Sequence, residues 1–317
     1  MSKKSYKHLF GPVHSRRLGI SLGVDVVTFK TCSLDCIYCE CGATTRHTLQ
    51  RDEYVSIESI IDELKDYLCS NPHLDVVTFA GSGEPTLNSG LGDLIKYVKN
   101  NYPQYAIAVL TNSSLLHLPQ VRQELLPADY ILPSLDAVSE DVFHTINNPP
   151  DKLTARELVN GLITFSHEYS GNLWVEVFIA EGINDTEEEL DLIRENLLRM
   201  NLTRVQLNSL DRPGTCSWIQ PVSPQKLEQI AKRFQPLPVE IIARSIKNIP
   251  VRTTDELDTA RVVASLARRP ATVEELASAL GASINEIARF LISLEKQGKI
   301  SKHTIDTRIV YRLEKDH

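Results

Sequence analysis

The chain has no apolar run of the roughly 18 residues that a membrane-crossing helix needs. Positive charge at Met1–Lys7 is not followed by an apolar segment, so no signal peptide is expected. Together these two absences predict a cytoplasmic protein. There is no internal repeat and no low-complexity segment. Nor is there excess charge of a kind that prevents folding: 24% charged against 42% hydrophobic residues excludes wholesale disorder. Cysteine is scarce outside one place. Cys69 and Cys216 stand alone, while Cys32, Cys36, Cys39 and Cys41 crowd into ten residues. A disulfide scaffold does not look like this, so the cluster needs another explanation.

What is present is a length of 317 residues, enough for one large domain and a small one. The net charge of −7 is unevenly spread. Arg261–His317 carries an excess of basic residues on an acidic body, a hint of an anionic partner for the tail. Short β-branched runs alternate with amphipathic stretches. Strands are expected at Val24–Lys30, Asp75–Gly81, Ala106–Asn112, Tyr130–Asp136, Trp174–Ala180 and Arg204–Leu210, and Pro238–Arg244 reads as one more. Near-continuous apolar runs such as Val76-Val77-Thr78-Phe79 suit strands buried on both faces of a parallel sheet. Helices are expected over Ile57–Leu68, Leu91–Lys99, Leu115–Leu126, Thr154–Glu168, Thr186–Met200 and Ser223–Phe234. Six βα units in a row predict an α/β fold, a partial (β/α)6 barrel, with a doubly wound sheet as the competing arrangement.

After Pro250 the pattern changes. Helices are expected at Asp258–Ala267, after a capping box at Thr272, and from Ser283-Ile284-Asn285-Glu286, followed by a two-faced strand from Ile309 to Leu313. Three helices and a β ribbon of this size resemble a winged helix-turn-helix. The expected domains are residues 1–245 and 246–317, with the boundary between Ile246 and Leu257. The small domain has two readings. It binds nucleic acid through Asn285, Arg289, Lys296, Lys302, His303, Arg308 and Arg312, or it is a docking or dimerisation module.

Cys32-x3-Cys36-x2-Cys39 follows the first strand candidate, at the end where α/β folds place ligand-bearing loops. Three thiolates at this spacing suit three irons of a [4Fe–4S] cluster and leave the fourth iron open. A four-cysteine zinc knot using Cys41, with His47 nearby, is the alternative, although no second cysteine pair is present. With Tyr38 before the last cysteine, the motif resembles the signature of the radical S-adenosylmethionine (SAM) superfamily. Gly81-Ser82-Gly83-Glu84-Pro85 resembles that superfamily's Gly-Gly-Glu-Pro motif, with Ser82 as the departure.

The resemblance runs from about Val24 to Leu210. It implies that Cys32, Cys36 and Cys39 hold the cluster and that Tyr38 packs near the SAM adenine. It further implies that Gly81, Ser82, Gly83, Glu84, Pro85, Thr111, Asn112, Ser134, Asp136 and Asn184 line the SAM site. It implies a 5′-deoxyadenosyl radical, a hydrogen abstraction, and a reductant such as flavodoxin or ferredoxin. The substrate is left open between a nucleoside in RNA, a peptide and a metabolite. In the family the fifth strand often supplies a basic residue; here it offers Trp174 and Glu176. The segment Gly11–Gly19 resembles that of uncharacterised iron–sulfur oxidoreductases near the wyosine tRNA synthases, and Arg16 and Arg17 are candidates for binding an anionic substrate. Cys216 is a candidate for returning a hydrogen atom, with a buried inert thiol as the plain reading. An iron–sulfur redox regulator that binds nucleic acid is the rival from another class.

Overall fold

The structure, a computed structural model, describes residues 6–15, 17–211, 214–216, 218–242, 259–280, 282–305 and 308–314. Arg16 and the boundary expected between Ile246 and Leu257 lie outside them. The first elements are an antiparallel hairpin, β1 (Leu9–Ser15) and β2 (Gly19–Val24). A two-stranded patch, β3 (Thr31–Cys32) and β4 (Arg46–His47), carries the cysteine loop. The alternation then sets in: α1 (Ile57–Leu68), β5 (Val76–Phe79), α2 (Leu91–Asn101), β6 (Ala106–Thr111), α3 (Pro119–Leu125) and β7 (Tyr130–Pro133). It continues with α4 (Glu140–Asn147), α5 (Ala155–Glu168), β8 (Asn172–Ile179), α6 (Glu187–Leu197), β9 (Arg204–Ser209), α7 (Pro224–Arg233) and β10 (Val239–Ile241).

The strands form one sheet in the order β1-β2-β5-β6-β7-β8-β9-β10, parallel throughout except at β1. Among the described residues β1 and β10 do not pair, so the sheet is an open barrel. Alternation along each strand decides which face a side chain takes. Val77, Ile107, Val109, Val175, Val177 and Leu207 pack outward against Ile60, Leu64, Ile95, Leu162 and Ile193 of the helices. Val76, Ala108, Leu132 and Trp174 face the other way and pack with Leu18, Leu110 and Tyr130. Burying each of these large side chains is worth about 2 kcal/mol, which is why the layers hold without staples.

The first expected strand, Val24–Lys30, is not one. The strand is Gly19–Val24, with Val24 as its last residue. Gly19 and Gly23 hide it from a β-propensity reading. Gly23 is required there because an added Cβ would lie 2.1 Å from the Phe10 ring on β1. Helix α4, with Glu140 and Asp141 in its first turn, was not expected either. The parallel set therefore includes β10 and is extended by an antiparallel edge strand.

The small domain consists of α8 (Thr259–Arg268), α9 (Val273–Leu280), α10 (Ile284–Lys296), β11 (Ile300–Ile305) and β12 (Arg308–Leu313). The expected capping box of Thr272 with Glu275 forms, and Ser283 makes a second with Glu286. Val262, Leu266, Leu276, Ile287, Leu291 and Leu294 make a core of its own. Helix α9 lies along β1. Arg308 donates to the Asp211 carboxylate at 2.9 Å and to its carbonyl at 3.0 Å, just past the end of β9. Arg269 lies 4.0 Å from Glu40. Arg312 is the nearest neighbour of Gly42. Two expected nucleic-acid contacts, Arg308 and Arg312, thus face the large domain, and Lys302 pairs with Glu295 at 2.8 Å.

Candidate functional site

Cys32 ends β3 rather than following a long strand directly. The loop that carries the other two cysteines is held from three sides. From the last turn of α4, the carbonyls of Ile146 and Asn147 accept from the Ile37 and Asp35 amides at 3.0 and 3.1 Å. From beyond β9, the Cys216 amide donates to the Ile37 carbonyl at 2.9 Å, and Gly214 sits so close to Tyr38 that a Cβ would meet its backbone at 2.9 Å. From beyond β5, a Cβ on Gly83 would lie 1.9 Å from the Thr31 carbonyl oxygen. That contact explains Gly83. Gly81 is explained by Asp25, whose carboxylate would lie 2.3 Å from a Cβ there and accepts from the Ser82 amide and hydroxyl at 3.1 and 2.9 Å.

Each of the three sulfurs receives one side-chain donor. Asn112 Nδ2 lies 3.5 Å from Cys32 Sγ, Asn147 Nδ2 3.3 Å from Cys36 Sγ, and Lys30 Nζ 3.1 Å from Cys39 Sγ. Lys30 is only 2% exposed and has the left-handed φ of 56° that a lysine seldom adopts. Burial works against its charge, but the Cys39 sulfur and the hydrogen bond to it outweigh burial and hold the ammonium above its ordinary value. The thiols differ in turn. Burial, with Glu84 nearby, pushes Cys32 up to about 12, and burial beside Asp136 raises Cys36. A hydrogen bond from Cys41, aided by Lys30 against burial, holds Cys39 down at about 6. Of the three, Cys39 is the thiol most easily ionised, and burial opposes ionisation of the other two. His47 Nε2 lies 3.2 Å from the Ser33 carbonyl oxygen, on the backbone of the loop.

The acids expected at the site are buried and well partnered. Glu84 accepts from Thr86 N and Oγ1 at 3.0 and 2.6 Å, from Thr111 Oγ1 at 2.7 Å and from Asn112 N at 2.7 Å. Its carboxylate ties the turn after β5 to the end of β6, and burial still raises it above its ordinary value. Pro85 opens the short turn that Glu84 caps. Asp136 accepts from Tyr38 OH at 2.5 Å, Asn147 Nδ2 at 2.9 Å and Phe178 N at 3.0 Å. Burial pushes it up to about 6 despite those donors.

The Tyr38 ring stacks on Phe178 at 3.8 Å and 11°. Asn184 donates to the carbonyls of Asp136 and Phe178 at 2.8 and 2.7 Å and accepts from Ala180 N at 2.8 Å, so it positions the loop after β8. The half-buried Ser134 hydroxyl has no partner among the described residues. Cys216 is half-buried beside the cysteine loop.

The structure therefore gathers the expected residues at the carboxyl ends of β5 to β9. Sequence reasoning missed Lys30, Asn147, Phe178 and Asp25. Lys30, directly before Thr31-Cys32, and Asn147, before Asn148-Pro149-Pro150, are visible as polar residues at turns, but their partners are not. Arg17, from the β1–β2 turn, pairs with Glu176 of β8 and donates to Gln206 Oε1 of β9 at 3.2 Å.

The family model described as "Radical SAM superfamily" matches residues 26–203, and that described as "DprA winged helix domain" matches residues 250–304. A protein called GTPase Obg from Brachyspira hyodysenteriae is 35% identical over 98% of this chain, which spans only 46% of that relative. A UPF0026 protein of Helicobacter pylori is 33% identical over 87% of this chain and 88% of its own length. Two solved structures share the fold of the large domain. A radical SAM methyltransferase from Sphaerobacter thermophilus is 16% identical, covering 70% of this chain and 65% of that one, with a TM-score of 0.55. TYW1 with a lysine-pyruvate adduct bound is 18% identical, covering 71% and 75%, with a TM-score of 0.51. The cysteine loop, the open barrel behind it and these matches place the chain in the radical SAM superfamily, with a winged helix domain at its carboxyl-terminal end.

Proposed function

We propose that Cys32, Cys36 and Cys39 hold a [4Fe–4S] cluster with one open iron, and that the protein cleaves SAM reductively. The observation that carries this reading is the donor set. Three sulfurs lie on one loop, each with a hydrogen-bond donor, beside a glycine turn with no room for a side chain. Among the described residues no three or more His, Cys, Asp or Glu converge on a single ion. The ligands of a cubane sit further apart than those of one ion, so the cluster remains compatible with that spacing. When bound, the cluster would pass an electron to SAM and release a 5′-deoxyadenosyl radical that takes hydrogen from the substrate.

The chain's own residues then have distinct tasks. Glu84 and Asp136 hold strand ends in register, while the backbone at Gly81, Ser82 and Gly83 is left to meet the methionyl group. Thr111, Asn112 and Ser134 line the SAM site, and Asn184 positions the adenine side. Tyr38, stacked on Phe178, shields that side from water. Cys216 stands at the rim, where a thiol can return a hydrogen atom. The substrate class stays a nucleoside in RNA, a peptide or a metabolite. A flavodoxin or ferredoxin is the proposed reductant, and the cytoplasm the proposed location. Nucleic acid, if it binds, meets Asn285, Arg289, Lys296 and His303, which are exposed on the small domain.

The test is anaerobic reconstitution with iron and sulfide, followed by SAM and dithionite. Wild-type protein is expected to form 5′-deoxyadenosine, and Cys36→Ala is expected to form none. An intact cluster that SAM leaves spectroscopically unchanged, with no product, would overturn the reading.

A further inference from the structure

Cys41 lies on the same loop as the three proposed ligands, with only Glu40 between it and Cys39. The Gly42 amide donates to the Cys39 carbonyl at 3.1 Å, and Gly42 has a left-handed φ of 87°. This tight turn folds Cys41 back beside Cys39, where its thiol donates to the Cys39 sulfur. Thr215 Oγ1, from beyond β9, donates to the Cys39 carbonyl at 3.2 Å and so holds the turn in place.

Cys41 also meets the turn after β5. Its Sγ lies 4.0 Å from the Gly81 carbonyl oxygen. That turn is fixed, because Asp25 fills the space a Gly81 side chain would take and Thr31 the space of one on Gly83. Its backbone from Gly81 to Gly83 is the stretch left to meet the methionyl group of SAM. Cys41 therefore stands between a ligand sulfur and the turn proposed to receive SAM. The two cysteines outside the cluster are placed differently. Cys216 packs against the core of the large domain, and Cys69 is exposed and donates to the Asp66 carbonyl at 3.0 Å. Cys41 is half-buried and, among the described residues, is not part of that core. Thiolates are the ligands that iron–sulfur clusters take most readily, so a thiol in this place competes for an iron left open.

We propose that Cys41 is a displaceable fourth ligand, which covers the open iron when SAM is absent and leaves it when SAM binds. This rests on the reading that Cys32, Cys36 and Cys39 hold a [4Fe–4S] cluster. No electron moves in the exchange. The bond from the Cys41 sulfur to iron breaks, the methionyl group of SAM takes the position, and the released thiolate takes a proton from water. Two consequences follow from the competition. The covered iron resists oxidative loss, and SAM binds more weakly than it would to a bare iron. If Cys41 covers the iron in about nine molecules of ten, the apparent Kd for SAM rises roughly tenfold.

The test compares wild type, Cys41→Ala and Cys41→Ser as full chains, each reconstituted anaerobically with iron and sulfide, with Cys36→Ala as the control that loses the cluster. Cys41→Ser keeps the size of the side chain should Cys41→Ala not fold. Ferricyanide is added without SAM, and the three-iron cluster formed is counted by electron paramagnetic resonance. SAM affinity is measured separately, by equilibrium dialysis of labelled SAM against the oxidised cluster, so neither readout depends on turnover. The variants are expected to give severalfold more three-iron cluster than the wild type and to bind SAM roughly tenfold more tightly. Equal three-iron yields, or equal SAM affinities, would overturn the proposal and leave the cluster reading intact. Variants that hold no cluster, as in Cys36→Ala, would make Cys41 a permanent ligand and also overturn it. A wild type that assembles no cluster would overturn the underlying reading, and this proposal with it.

Discussion

At the scale of single residues, the chemistry rests on groups that local sequence hides. The cysteine spacing is legible because the ligands are near neighbours in the chain. Lys30 and Asn147 are not, because what makes them matter is a sulfur brought close by folding, 9 residues away for Lys30 and 111 for Asn147. Lys30 carries a prediction. A buried positive charge against one sulfur favours the reduced, more negative cluster. Lys30→Met should lower the reduction potential of the reconstituted cluster by on the order of 100 mV, from a charge several ångströms away in a medium of intermediate dielectric. Titration followed by electron paramagnetic resonance checks this, and an unchanged potential would remove Lys30 from the electrostatics of the site.

Asp136 carries another. Its folded-state pKa lies at about 6, above the ordinary 3.8, so folding favours its protonated form. The stability this adds is present below about pH 4 and is lost as pH rises through 6, on the order of 2–3 kcal/mol. Urea midpoints of the cluster-free chain should therefore fall less steeply between pH 4 and 6.5 in Asp136→Asn than in the wild type.

At the scale of elements, the fold is legible where periodicity is clean. The strands from β5 to β9 and most helices of the large domain fall where their apolar patterns put them. The first strand does not, because Gly19 and Gly23 interrupt its pattern for reasons that lie in the hairpin: the turn at Gly19 and the Phe10 ring over Gly23. Helix α4 escapes because it is short and runs on into Asn147 and Asn148. The turn after β5 shows the opposite case, in which a motif expected for ligand binding has a packing reason as well. Gly83→Ala would set a carbon within 1.9 Å of the Thr31 carbonyl oxygen, and backbone on both sides must move. A loss of at least 2 kcal/mol in stability is expected, with poor iron retention after reconstitution. Thermal denaturation and iron analysis check both, and a variant with wild-type stability and iron content would show that the turn yields.

At the scale of the whole molecule, the small domain is more than a tail. Arg308 grips Asp211, which directly precedes the segment whose Gly214 and Cys216 pack on the cysteine loop. Composition shows its basic excess but not which way the cations point. Two of them, Arg308 and Arg312, turn toward the large domain. A chain ending at residue 242 should lose its reconstituted cluster in air several times faster than the full chain, as read from the decay of its visible absorbance. Equal decay would mean that the small domain does not shelter the loop.

The contact between α9 and β1 has a consequence of a different kind. An open barrel ends in strands whose outer backbone groups seek partners, and such an edge invites pairing with another copy of the same chain. Helix α9 lies against β1, so a second copy that approached the strand from that side would have to displace the helix first.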